Sequence, residues 1–246
     1  MADMSWEDIG GRLPNKLRDI YEGVLEKEKY CEGPEEICAL YEDALERSEK
    51  LISEDPSYGR IYDWDISFQG APFITFLRKY AESLVDFGMM KRAKKVCERA
   101  VGLTHRDGLG VRFLLAGIYG YFGSCSQAEK VRKKFGDDNC EMSLHLAASY
   151  YKKCDFLNAR NCIIMAYQQN QHLRNICRAA AADDSFIEKA RLFHKKKGFT
   201  YGSYQQYLHS IGEDYFLYNT SFFEWAGQVL DKYQKGTGDS IQRREN

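Results

Sequence analysis

The chain has 246 residues, 44% of them hydrophobic and 29% charged, a balance that fits a folded, soluble chain and excludes a disordered or collagen-like one. Its 35 basic and 36 acidic residues leave a net charge of -1, so no overall basic field points to nucleic acid. Eight cysteines without a single C-x-x-C spacing exclude a zinc ribbon and a thioredoxin-like pair, and the acidic start Met1-Ala2-Asp3-Met4-Ser5-Trp6-Glu7 is no secretory leader, so a cytoplasmic protein with reduced thiols is expected.

Taken in chain order, residues 1–13 read as a lead-in, with Trp6 and Ile9 available to dock on the first helix. That helix is predicted from Pro14, which suits a first-turn position, to about Tyr30, with Leu17, Ile20, Tyr21, Val24 and Leu25 on one face. Gly33-Pro34-Glu35-Glu36 is a stop and then a fresh start, and the second helix runs through Leu40, Ala44, Leu45, Leu51 and Ile52 to Asp55-Pro56. Residues 57–72 form an aromatic-rich connection, longer than the roughly 2–8 residues usual between helices, which either lines a site or tucks onto the end of the helical stack. Three helix pairs come next, at 73–101, 109–136 and 140–169. Gln171 to Lys197 is less regular: Arg178 to Asp184 favours helix but has no repeat partner, and Lys195-Lys196-Lys197-Gly198 reads as a solvated turn. A last helical region, 203–234, carries Tyr204, Tyr207, Leu208, Ile211, Tyr215 and Leu217, then Phe222, Phe223, Trp225, Ala226, Val229 and Leu230, and suits a terminal cap. The expected organisation is a hairpin with its connection (1–72), three helix pairs (73–170), a helical cap (171–234) and a disordered tail (235–246). The longest nearly apolar run, residues 113–123, is far short of the ~20 needed to span a bilayer, so no membrane partner is expected.

The three pairs share a pattern. Ala93, Ala128 and Ala159 sit 35 and 31 residues apart, each five positions after a bend residue (Gly88, Gly123, Cys154). Twelve positions before each lies another alanine (Ala81, Ala116, Ala147), with Leu84, Tyr119 or Tyr150 three positions later; Ala100 and Ala166 close two units, with Phe135 at that place in the middle one. Two helices cross closely only where side chains are small, so a period of about 34 residues with alanines at fixed points reads as helix-turn-helix repeats. Leu77, Tyr80, Ala81, Leu84, Gly88, Ala93, Cys97 and Ala100 resemble the tetratricopeptide repeat in order, although the closing proline is missing from all three units.

Residues 60–232 more widely resemble a group of bacterial tetratricopeptide-like proteins of undefined biochemical role. The resemblance rests on Ala71-Pro72-Phe73, on Asp107-Gly108-Leu109-Gly110-Val111-Arg112-Phe113-Leu114-Leu115, and on Ser221-Phe222-Phe223-Glu224-Trp225. It implies an all-α, right-handed tetratricopeptide-like solenoid with a divergent N-terminal hairpin and a C-terminal helical cap, and no established reaction.

Reactive signatures are sparse. Gly108-x-Gly110 invites a phosphate cradle, but Phe113 replaces the third glycine and no strand precedes; the glycines otherwise set a turn that lets Asp107 cap the next helix. None of His105, His145, His172, His194 and His209 precedes a Glu, so the H-E-x-x-H helix is absent, as is a G-x-S-x-G elbow. Asp63 and Asp65 flank Trp64 as a candidate carboxylate pair, and Arg112 reads either as a donor to a partner's carboxylate or as a brace of the neighbouring repeat through carbonyls or an internal acid.

In tetratricopeptide arrays the first helix of each pair lines the concave face. Carried over, the groove residues are Arg78, Glu82 and Val85, then Phe113, Gly117 and Tyr121, then Leu144, Ala148, Tyr151 and Lys152. Aromatic and cationic residues are the usual anchors of protein recognition, so a non-enzymatic module binding a peptide or helix in this groove is expected, with no cofactor or metal and no assigned oligomeric state. The C-terminal segment is a competing occupant of the same groove. One alternative is a small-ligand binder or enzyme with a pocket between residues 57–72 and the 107–113 turn, built on Asp63, Trp64 and Arg112. A second is a nucleic-acid-linked regulator, which the near-neutral charge disfavours.

Overall fold

A computed structural model describes residues 15–183 and 220–242, with side chains to residue 234 in the last stretch. Every regular element among them is helical: α1 (Lys16–Glu28), α2 (Pro34–Glu54), a 3-10 turn (Tyr58–Arg60), α3 (Ala71–Asp86), α4 (Met90–Leu103), α5 (Val111–Phe122), α6 (Cys125–Phe135), α7 (Cys140–Lys152), α8 (Phe156–Gln169), α9 (Leu173–Ala182) and α10 (Thr220–Gln242). No helix among the described residues is long and apolar enough to cross a membrane. The chain forms two compact units, Met1–Leu109 and Gly110–Asn246, so the division falls between the first and second of the three helix pairs read from sequence.

In unit 1, Asn15 caps α1 by accepting from the N–H groups of Leu17 and Arg18, both at 3.1 Å. α2 starts as its sequence demands, with Gly33 in extended conformation, Pro34 at the first position and Glu35 and Glu36 in the first turn. Its buried face, Cys38, Tyr41, Ala44 and Ser48, repeats at helical spacing. The Tyr41 ring stacks on Phe76 (5.5 Å) and on Tyr80 (5.0 Å), so α2 packs on α3 through rings. Outside the core, Arg92 pairs with Glu42 and Arg99 with Glu49, two bridges one heptad apart that tie α4 to α2. The 57–72 connection is built inward. Tyr58 and Trp64 are buried, Trp64 meets Phe73 at 5.8 Å, and its N–H donates to the Leu103 carbonyl at 3.3 Å. Gly70 is obligatory here, since a Cβ would lie 2.8 Å from the Trp64 carbonyl oxygen.

The three bends share one backbone solution. Gly88 (φ 72°), Gly123 (φ 65°) and Cys154 (φ 60°) are all left-handed. The next N–H closes the preceding helix each time: Met89 to Leu84 (2.7 Å), Ser124 to Tyr119 (2.8 Å) and Asp155 to Tyr150 (3.0 Å). The carbonyls that accept are those of the large residues picked out by the repeat. Ala81, Ala93, Ala116, Ala128, Ala147 and Ala159 are all fully buried, as helix crossings through small side chains require.

In unit 2, α5 packs on α6 and α7, and α7 on α8. α9, which lacks a partner by sequence period, finds one in α10, which also touches α8. Phe222, Phe223, Ala226 and Leu230 join Leu173, Ile176, Cys177 and Ala180 in one core, and Asp231 receives both Arg174 (2.6 Å) and Arg178 (2.8 Å). α10 continues to Gln242, past the Lys235 at which a disordered tail is expected from sequence, because each residue added to an anchored helix gains a backbone hydrogen bond. The expectations for 1–14, for Lys195–Gly198 and for Tyr204 to Leu217 lie outside the described residues.

Candidate functional site

The residues read as a groove separate into engaged and available ones. In unit 1, Arg78 pairs with Glu82 at 2.8 Å and also donates to the Leu109 carbonyl, and Val85 is buried. In unit 2, Leu144 is fully buried in the core with Ile163 and Phe222, so it is not a surface residue. The physical reason is that α7 is covered from several sides, and reading one helix face cannot reveal a helix arriving from some seventy residues further on. Phe113 is half-buried beneath the Arg112 guanidinium, 4.2 Å from its ring centroid. Tyr151 is in contact with α10: its hydroxyl donates to the Ser221 carbonyl (3.3 Å), and its ring meets Phe222 (5.5 Å) and Trp225 (5.1 Å). That part of the expected groove is occupied by the chain's own C-terminal helix.

Tyr121 and Lys152 remain on the surface. Tyr121 is 39% exposed, and the Lys152 ammonium lies 4.6 Å from its ring centroid. Phe122 meets Tyr121 edge-on at 5.2 Å. At the next bend, Phe156, 49% exposed, contacts Tyr151 (5.8 Å) and Trp225 (6.1 Å), and Leu157 beside it is more exposed still. Sequence reasoning missed Phe156 and Leu157. Their signal was present: two large apolar residues directly after the cap Asp155, in a first turn where polar residues are usual.

Of the residues named for the alternative pocket, Asp63 and Trp64 are buried inside unit 1, and Arg112 of unit 2 pairs with the half-buried carboxylate of Asp137. Asp63 accepts from the His105 N–H at 3.1 Å, and Asp65 accepts from the Gly108 N–H. Burial opposes ionisation of Asp63, but hydrogen bonds from Asp65 and from the His105 and Arg106 N–H groups outweigh it and hold its carboxyl below the usual range. Burial and the hydrogen bond with Asp63 push Asp65 up. The two carboxyls pin the 105–108 segment, and the Gly108 N–H, a candidate phosphate donor by sequence, is engaged by Asp65. Asp107, fully buried, takes a left-handed φ of 51°, and Gly110 stands at the N-cap position of α5.

Burial holds three thiols and one histidine of unit 2 in their neutral forms. Burial pushes the Cys140 thiol up to about 12 and Cys162 to about 11, and raises Cys177 further. Burial pushes His145 down to about 3, with Nε2 4.0 Å from Glu141 Oε1. Among the described residues, no group of three or more His, Cys, Asp or Glu is placed to hold a metal ion. Comparison with family models, with curated proteins and with solved structures gives no match.

Proposed function

We propose that the protein is a non-enzymatic, cytoplasmic interaction module of tetratricopeptide-like, solenoidal type that binds an apolar protein segment on the bend surface of unit 2. The observation that carries the reading is the exposed pair Tyr121 and Lys152, backed by Phe122 and joined at the next bend by Phe156 and Leu157. Aromatic side chains held on hydrogen-bonded turns lose little entropy on binding, and a lysine poised over a ring supplies a cation to an acidic residue of the partner. The repeat character is supported by the three matching bends and the buried alanines. Relative to the groove expected from sequence, the surface keeps Tyr121 and Lys152, gives Tyr151 a supporting role and drops Leu144.

The test compares wild type with Tyr121→Ala/Phe156→Ala as bait, and then titrates whatever partner is retained. Both side chains are substantially exposed, so the melting temperature should stay within a few degrees while affinity falls at least about tenfold. Tyr30→Ala, at a fully exposed ring of unit 1, should change neither. Equal affinity of wild type and the double variant would sink this surface.

A further inference from the structure

We infer that unit 1 carries a small-molecule site between α1 and residues 66–75, and that it takes a small apolar carboxylate. The site is an open surface hollow of ≈480 Å³. One wall is α1, through Arg18, Tyr21, Glu22 and Leu25; the other is the connection, through Ile66, Phe68 and Pro72. This site lies apart from the surface assigned to unit 2 and does not depend on that assignment.

The chemistry comes from the lining. The Arg18 guanidinium lies 4.8 Å from the Phe68 ring centroid, which orients its plane. Among the described residues no carboxylate is within ion-pair range of it, although most arginines in this unit have one: Arg47 has Asp43, Arg78 has Glu82, Arg92 has Glu42 and Arg99 has Glu49. A fixed, two-pronged donor at the edge of an apolar hollow suits a carboxylate. Leu25, Ile66, Phe68 and Pro72 supply apolar walls beside that donor. A cationic fork at the edge of an apolar hollow describes a site for a small apolar carboxylate.

The walls are also fixed before any ligand arrives. Asn15, buried, caps α1 with its oxygen and donates from Nδ2 to the Phe68 carbonyl at 2.7 Å, stapling one wall to the other. Gly70 is wedged on Trp64 and donates to the Ser67 carbonyl at 3.1 Å. Ile66 is nonetheless 64% exposed and Phe68 47%, apolar surface that a rigid loop presents rather than hides.

The experiment is a titration of the ¹⁵N-labelled full chain with N-acetyl-L-phenylalanine, N-acetyl-L-phenylalanine amide, free L-phenylalanine and a short peptide ending in phenylalanine. The acid should give saturable shifts at Arg18 Nε–H and at the Phe68 and Thr75 amides, and the amide should bind about tenfold more weakly. Arg18→Met, which keeps the stem on Phe68, should lose about the same factor, and Arg18→Lys an intermediate one. Arg47→Met should leave binding unchanged. Tighter binding of the peptide than of the free amino acid assigns the ligand to a chain terminus, and the reverse to a free metabolite; both support the site. Absence of saturation by the acid, equal binding of acid and amide, or indifference to Arg18→Met would overturn it.

Discussion

In unit 1, Tyr41 is stacked against Phe76 and Tyr80, with Phe73 and Trp64 continuing the row of rings. In unit 2 the corresponding volume is taken by Ala147, Ala148, Ala166, Ala180, Cys140 and Cys177, and the open side is closed by Phe222 and Phe223 from α10. Rings fill space from few helices, so unit 1 completes its core with helices that lie close together in the chain, α1 to α4. Small side chains bring helices together but leave a side uncovered, and unit 2 closes it with a helix from beyond residue 220. In closing this core, α10 also sets Phe222 and Trp225 against Tyr151.

The contrast is tested most severely at Phe223. This ring is fully buried, and Phe223→Ala should destabilise unit 2 by about 3–5 kcal/mol, the usual range for a buried Phe truncation. Phe76→Ala should do the same to unit 1. Hydrogen exchange read by mass spectrometry distinguishes the two: Phe223→Ala should remove protection from α7 to α10 and leave α2 to α4 protected. Equal loss across α2–α4 and α7–α10 would show that the two cores do not stand separately.

A second difference is acid sensitivity. Unit 2 buries His145 completely, and unit 1 buries no histidine among its described residues. Burial lowers the folded-state value of His145 to about 3, below the ordinary ~6.5 of an unfolded chain. Below about pH 6.5 the unfolded chain takes up a proton that the folded one refuses, so stability is full above that pH and is lost as pH falls towards 3. At pH 5 the loss amounts to about 2 kcal/mol. Urea midpoints for unit 2 should fall between pH 7 and pH 5, and His145→Leu should flatten that dependence. An unchanged slope in the variant would assign the acid sensitivity to other groups.

Much of the helix layout was legible because it is written locally. Gly33-Pro34 marks the start of α2, and the alanine spacing placed α3 to α8 with their bends. What was illegible depends on residues far apart in the chain. Leu144 lies on a helix face that looks free until α10 is placed. The pairing of α9 with α10 obeys no period, and the Arg18 hollow needs Phe68, fifty residues further on. Tyr121 and Lys152, by contrast, lie beside bends that the glycine and alanine spacing marks, and both are on the surface.

The smallest effect concerns the bends, where the two units use the same backbone. Gly88 in unit 1 and Gly123 in unit 2 are left-handed glycines, whereas Cys154 adopts the same conformation with a side chain. A left-handed residue with a Cβ is disfavoured by roughly 1–2 kcal/mol, so Gly88→Ala and Gly123→Ala should each destabilise by about 1 kcal/mol. A Cβ at Gly88 meets nothing within 4 Å, and one at Gly123 makes only ordinary contact with Lys152 at 3.5 Å, so the penalty is conformational rather than steric. Cys154→Gly should act in the opposite direction. Release of the strained cysteine is partly offset by the greater freedom of glycine in the unfolded chain, leaving a net gain of a few tenths to about 1 kcal/mol. Denaturant midpoints of the three variants check this. Opposite signs for the two glycines and the cysteine would show one backbone requirement met by different residues, whereas destabilisation by Cys154→Gly would mean that the third bend is held by the cysteine side chain itself.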